Sequence, residues 1–88
     1  MKITNGDMKV TITYCGVWNF ILRAQDVANE IDEAFNNVVI SLVKKGGGVF
    51  DITVDNSLIF SKHIKNRFPE EGEIVKLIRE EVASWWIQ

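Results

Sequence analysis

The chain has 88 residues, 47% of them hydrophobic and 25% charged, which is enough for one compact core and too little for two. A formal net charge of -2 and a pI near 5.3 leave no surplus of positive charge to gather phosphates, so nucleic acid is excluded as a general partner. The single cysteine, Cys15, excludes an internal disulfide and a four-sulfur zinc site, and with the single His63 it supplies at most two metal ligands, so no metal is expected.

Residues 1–8 contain Asn5-Gly6-Asp7, a turn-forming set, and read as a flexible tail ahead of a single domain over 9–88. The opening segment lacks an apolar signal core, and no apolar run approaches the roughly 20 residues that span a bilayer. Together with the lone cysteine, this predicts a soluble, cytoplasmic protein without a membrane partner.

From Lys9 to Tyr14 polar and apolar residues alternate, with Val10, Ile12 and Tyr14 on one face and Lys9, Thr11 and Thr13 on the other. That period of two predicts a strand with one wet face. After Cys15-Gly16 the period lengthens: Phe20, Ile21, Ala24, Val27, Ala28, Ile31, Ala34 and Phe35 recur every three or four residues, predicting an amphipathic helix over 18–35. Asn36-Asn37 ends it, and the β-branched run Val38–Val43 predicts a second strand.

Lys44-Lys45-Gly46-Gly47-Gly48 interrupts the pattern, and its glycines precede a strand, whereas a phosphate loop opens a helix. We read it as a turn beside the Cys15 loop. Val49–Val54 and Ser57–Ser61 then form a hairpin around Asp55-Asn56, residues that tolerate positive φ. Leu58 and Phe60 alternate with Ile59, which leaves some apolar side chains on an open sheet face. His63 sits in a charged stretch and reads as solvated.

Pro69 fits the first turn of a last helix, along which Ile74, Leu77, Ile78, Val82 and Trp85 make an apolar stripe. Gly72 costs about 1 kcal/mol relative to Ala inside a helix, which argues for a later start. Trp86 and Ile87 fall off the stripe and make an exposed patch. The order β-α-β-β-β-α predicts an α/β (α+β) two-layer sandwich: one mixed four-stranded sheet covered by two helices.

Cys15 lies where a strand meets the N-terminus of the following helix, so backbone N–H groups point toward it and favour the thiolate by about 0.3–1 kcal/mol. A strongly activated sulfur needs a further cation, and Lys44, Lys45 or His63 reach it only through the fold.

Tyr14-Cys15-Gly16-Val17-Trp18, the long helix, Gly46-Gly47-Gly48-Val49-Phe50-Asp51-Ile52, the hairpin Val54–Lys62 and Arg67-Phe68-Pro69 together resemble the selenoprotein W-related Rdx family, also grouped as SelT/SelW/SelH. The resemblance covers roughly residues 9–84 and implies a thioredoxin-like fold and a part in cell redox homeostasis. Members of that family usually carry Cys-x-x-Cys or Cys-x-x-selenocysteine where this chain reads Cys15-Gly16-Val17-Trp18, so the first position matches and the second is Trp18. The resemblance therefore implies single-thiol chemistry: Cys15 as the catalytic residue, with protein thiols or glutathione as partners and no further cofactor. Gly16, Val17, Trp18, Gly47, Gly48 and Phe50 would line its loop. A non-catalytic interaction domain that has lost the redox pair is the alternative, and the open sheet face would admit a weak homodimer.

Overall fold

The alternation that opens the chain sets the sheet. A computed structural model describes residues 8–85, in which β1 (Met8–Cys15), α1 (Trp18–Ala34), β2 (Val38–Lys45), β3 (Phe50–Val54), β4 (Ser57–Ser61), α2 (Lys62–Lys65) and α3 (Glu73–Ser84) follow one another. Met8 already pairs with Val38, so the first strand starts one residue earlier than the alternation suggests. Residues 1–7 of the predicted tail, and the Trp86-Ile87 patch, lie outside the described residues.

The four strands form one mixed sheet in the order β2-β1-β3-β4, with β1 parallel to β2 and antiparallel to β3, and β3 antiparallel to β4. A parallel pair needs a crossover, and α1 supplies it. The registers align Leu42, Ile12, Ile52 and Phe60 in one row across the sheet. Ile12, Ile52 and Phe60 are buried in that row, and the core is completed by Ala24, Val27 and Ile31 of α1 and Ile74 and Ile78 of α3. Both long helices thus cover one face, as the sequence predicts.

Asp55 and Asn56 take φ of 47° and 76°, the two positive values that a tight two-residue hairpin requires. Asp55 is fastened to β1, where its Oδ1 accepts from the Lys9 N–H at 3.1 Å. A register shift between Ile52 and Thr53 changes the expected alternation of β4: Phe60 opposes Ile52 on the core face and Leu58 opposes Thr53 on the open face. Leu58 and Phe60 therefore sit on opposite faces, because a bulge puts two residues of one strand against one of the other.

Two features of the C-terminal third depart from the sequence expectation. Residues 62–65, the charged stretch around His63 for which the sequence predicts no element, form the single turn α2, which Asn66 closes at φ 61° with its N–H donating to the Lys62 carbonyl at 2.7 Å. The last helix starts at Glu73, after Pro69, the later start for which Gly72 argues, and Gly72 caps it at φ 81°. Pro69 is buried ahead of that cap. On α3, Val75 joins Ile74 and Ile78 in the interior, whereas Trp85 is 41% exposed as the C-cap and not part of the buried stripe.

The start of α3 is pinned by Arg67, whose guanidinium donates to both Glu73 carboxylate oxygens at 2.7 and 2.9 Å. The Glu70 N–H adds a third bond to Glu73 at 2.9 Å. The Arg67 hydrogen bond lowers the Glu73 carboxyl from 4.5 to about 2, against the opposing effect of burial and with lesser help from that backbone N–H. A depressed folded-state value stabilises the fold above the unfolded value and is lost as pH falls through the folded one. Melting temperature should therefore fall more steeply for the wild type than for Glu73→Gln between pH 4.5 and about 2, the two curves converging at the acid end. Parallel curves measured by circular dichroism would mean that the pair contributes nothing.

Candidate functional site

Cys15 is the last residue of β1, and α1 begins three positions later at Trp18. Its N–H donates to the Val49 carbonyl at 2.8 Å, and the Gly16 N–H donates to the Lys45 carbonyl at 3.2 Å. These two bonds tie the Cys15 loop to both ends of the turn between β2 and β3. In that turn Gly47 and Gly48 take φ of 75° and 69°, the left-handed conformation for which glycine carries no steric penalty. The turn predicted to lie beside the Cys15 loop does so.

The predicted lining residues divide by exposure. Val17, the N-cap of α1, is 54% exposed and Trp18 is 72% exposed, so Trp18 packs over neither the core nor the sulfur as a closed lid. Gly16 and Gly47 are exposed and Gly48 is half-buried. Phe50 is fully buried, which corrects its expected place in the lining: it pairs with Tyr14 and supports the loop from within. Its ring meets Phe68 edge-on at 5.3 Å, and Phe68 meets Phe20 of α1 at 4.8 Å. This aromatic cluster joins the first turn of α1, the sheet and the stretch before α3, and explains why Phe68-Pro69 precedes the last helix. Lys62 adds a cation near the Phe20 and Phe68 rings, at 5.5 and 5.3 Å.

Cys15 itself is 8% exposed. The parallel pairing brings Lys45 opposite Cys15 and Lys44 opposite Tyr14. A Cβ built on Gly16 would stand 2.9 Å from the Lys44 Cδ, so the Lys44 stem lies against the Gly16 backbone, the residue after Cys15. The helix N-terminus carries no acidic residue in its first turn and no side-chain cap, which leaves its positive end available to an anion. Lys45 across the sheet and the N-terminal end of α1 along the chain thus flank Cys15, whereas His63 is exposed on α2.

Asp51, not singled out by its sequence context, pairs with Thr13 on one side and Ser61 on the other, one step diagonally from Cys15. Its Oδ1 is buried without a hydrogen-bond partner. A separate groove of about 340 Å³, lined by Arg23, Asp26, Asn29, Glu30, Pro69 and Glu70 among others, shares no residue with the Cys15 loop. Among the described residues no group of three or more His, Cys, Asp and Glu side chains is placed to hold a metal ion, and no helix is long and apolar enough to cross a membrane.

Three comparisons with known proteins agree with this arrangement. The model of the Rdx family matches residues 9–80. Migration and invasion enhancer 1 of Bos taurus is 26% identical over 72 residues, covering 82% of this chain and 63% of that protein. The Mus musculus protein of the same name is 27% identical over 70 residues, covering 80% and 61%. The chain thus spans less than two thirds of the length of these curated relatives. Among solved structures, the selenoprotein W-related protein from Vibrio cholerae superposes with a TM-score of 0.81 at 23% identity, covering 88% of this chain and 99% of the other. A protein from Bordetella parapertussis superposes with a TM-score of 0.80 at 26% identity, covering 86% and 99%.

Proposed function

The chain belongs to the Rdx family, and on that premise we propose that it takes part in cytoplasmic thiol redox chemistry through Cys15 alone. The Cys15 thiolate attacks one sulfur of glutathione disulfide or of a protein disulfide. A Cys15–S–S–R bond forms as the original S–S bond breaks, and the departing thiolate takes a proton from water. An outside thiol then attacks the mixed disulfide, leaves with R as a new disulfide, and returns Cys15 to the thiol. Neither step needs a metal or an organic cofactor.

The observation that carries this reading is the position of Cys15: at the end of β1, ahead of an uncapped helix N-terminus, with Lys45 as its cross-strand partner. Val17, Trp18, Gly47 and Gly48 frame the approach of the partner.

Two observations favour a second reading as a non-catalytic interaction domain: the 8% exposure of Cys15 and the 72% exposure of Trp18. A solvent-facing tryptophan on a fixed helix end is the kind of side chain that anchors protein interfaces. The two readings separate when the protein is mixed at pH 7 with glutathione disulfide and the mixed disulfide is followed by mass spectrometry, with a urea-unfolded chain as reference. Redox use predicts faster modification of the folded protein, slowing as salt screens Lys44 and Lys45 from the anionic reagent. Protection of Cys15 in the folded state, together with full cellular function of Cys15→Ser, would leave the interaction domain as the working description.

A further inference from the structure

The sheet has two edges, and they are built differently. The β4 edge is five residues long, carries the register shift at Ile52/Thr53 and runs directly into α2, so it offers no straight ladder. β2 is eight residues long and from Val38 to Val43 contains no charge, proline or glycine. Among the described residues no strand lies on its outer side, and Val39, Leu42 and Val43 are 45%, 47% and 38% exposed.

The hydrogen bonds spent on β1 determine which backbone groups of β2 remain free for another strand. The Asn37 carbonyl accepts from Met8 and the Lys45 carbonyl from Gly16. In a parallel ladder alternate residues turn toward the same neighbour, so the odd-numbered residues of β2 face β1. Val38, Ile40, Leu42 and Lys44 turn their N–H and C=O groups outward.

We propose that this edge is a self-association surface, on which β2 of a second copy pairs antiparallel about a twofold axis at Ser41. In that register Ile40 opposes Leu42 of the second copy and exchanges both backbone hydrogen bonds with it. Val39 opposes Val43 as a non-hydrogen-bonded pair, where cross-strand side chains come closest. Each of the three exposed apolar side chains thereby meets an apolar partner. Lys44 falls opposite Val38 and Lys45 opposite Asn37, so no lysine faces a lysine.

The neighbouring registers fail on the same pattern. A one-residue slip sets outward-facing backbone groups against inward-facing ones and swaps the faces. Moving the axis to Ile40 puts Val43 against Asn37, and moving it to Leu42 puts Val39 against Lys45. In-register parallel pairing stacks Lys44 and Lys45 on their own copies and forms no closed twofold contact. The occupant is a second copy because the strand is complementary to itself in one register.

The register is read by disulfide trapping in the full chain carrying Cys15→Ser, with Ser41→Cys placed on the axis and Val39→Cys off it. A cysteine facing its copy in a non-hydrogen-bonded pair meets the Cβ separation of a disulfide. Ser41→Cys is expected to cross-link about tenfold faster than Val39→Cys under the same oxidant, because only the axial position faces itself. Adding Leu42→Lys, which sets a charge against Ile40, is expected to remove that advantage. The unmodified chain should show a monomer–dimer equilibrium by sedimentation at up to about 1 mM. Equal cross-linking at the two positions, or a monomer throughout that concentration range, overturns the proposal and leaves the edge to a strand of some other protein.

Discussion

Trp18→Cys is expected to release the glutathione that, under the proposed single-thiol chemistry, the wild type holds as a persistent mixed disulfide. Trp18 is the first residue of α1 and 72% exposed, so its replacement removes little packing, and the stability change should stay within about 0.5 kcal/mol. The new thiol stands three residues after Cys15, the Cys-x-x-Cys spacing. In the proposed chemistry the wild-type Cys15 mixed disulfide waits for an outside thiol. In the variant the second thiolate attacks the Cys15 sulfur, a bond forms between the two protein sulfurs, and glutathione leaves as its thiolate. The balance is two protein thiols and one glutathione disulfide giving one protein disulfide and two glutathione thiols. Because the second thiol is tethered, its effective concentration is in the millimolar range or above, and release no longer depends on added thiol. The measurement is free glutathione per protein after reaction with its disulfide: two equivalents for Trp18→Cys, and one with one retained for the wild type and Trp18→Ala. Retention in Trp18→Cys with an intact far-ultraviolet spectrum would mean that the sulfur of Cys15 does not face the helix end, and the single-thiol reading would lose its geometric basis.

Phe50→Ala carries the largest expected effect on stability, a loss of about 3–5 kcal/mol from a fold whose total should be about 5–15 kcal/mol. Phe50 is fully buried at the start of β3, where its ring contacts Phe68 and its backbone pairs with Tyr14 next to Cys15. Truncation empties a volume that α1, the sheet and the Phe68 stretch all border. Urea unfolding should show a midpoint lowered in proportion, with the slope unchanged if the denatured state is the same. A loss below about 1.5 kcal/mol would mean that Phe20 and Phe68 close over the space, and the aromatic cluster would then be a flexible support for the Cys15 loop.

Much of this molecule is legible in its sequence. The two-residue alternation over 9–14 and the three-to-four period over 18–35 define β1 and α1 to within a residue, since each element has an apolar face that the core then covers. Asp55-Asn56 fixes the hairpin because both residues accept positive φ. The motif around Cys15, the glycine turn and Phe68-Pro69 identify the family. The four-residue α2 is too short to show a period. Pro69 suits a helix start, but Gly72 in the left-handed region is the residue that sets it.

Apart from α2, local pattern alone determined the elements, their order, the apolar face of β1 and α1 and the position of the single thiol. Only the tertiary structure decided what surrounds that thiol. Lys45 meets Cys15 because β2 returns parallel to β1 in one register, and pairings between distant segments leave no trace in either segment's own periodicity. The bulge that turns Leu58 outward and the burial of Phe50 beneath the loop depend likewise on the partner strand and on the side chains of Phe20 and Phe68. Periodicity reports which face of an element is apolar; packing decides what that face, and the sulfur at its end, come to touch.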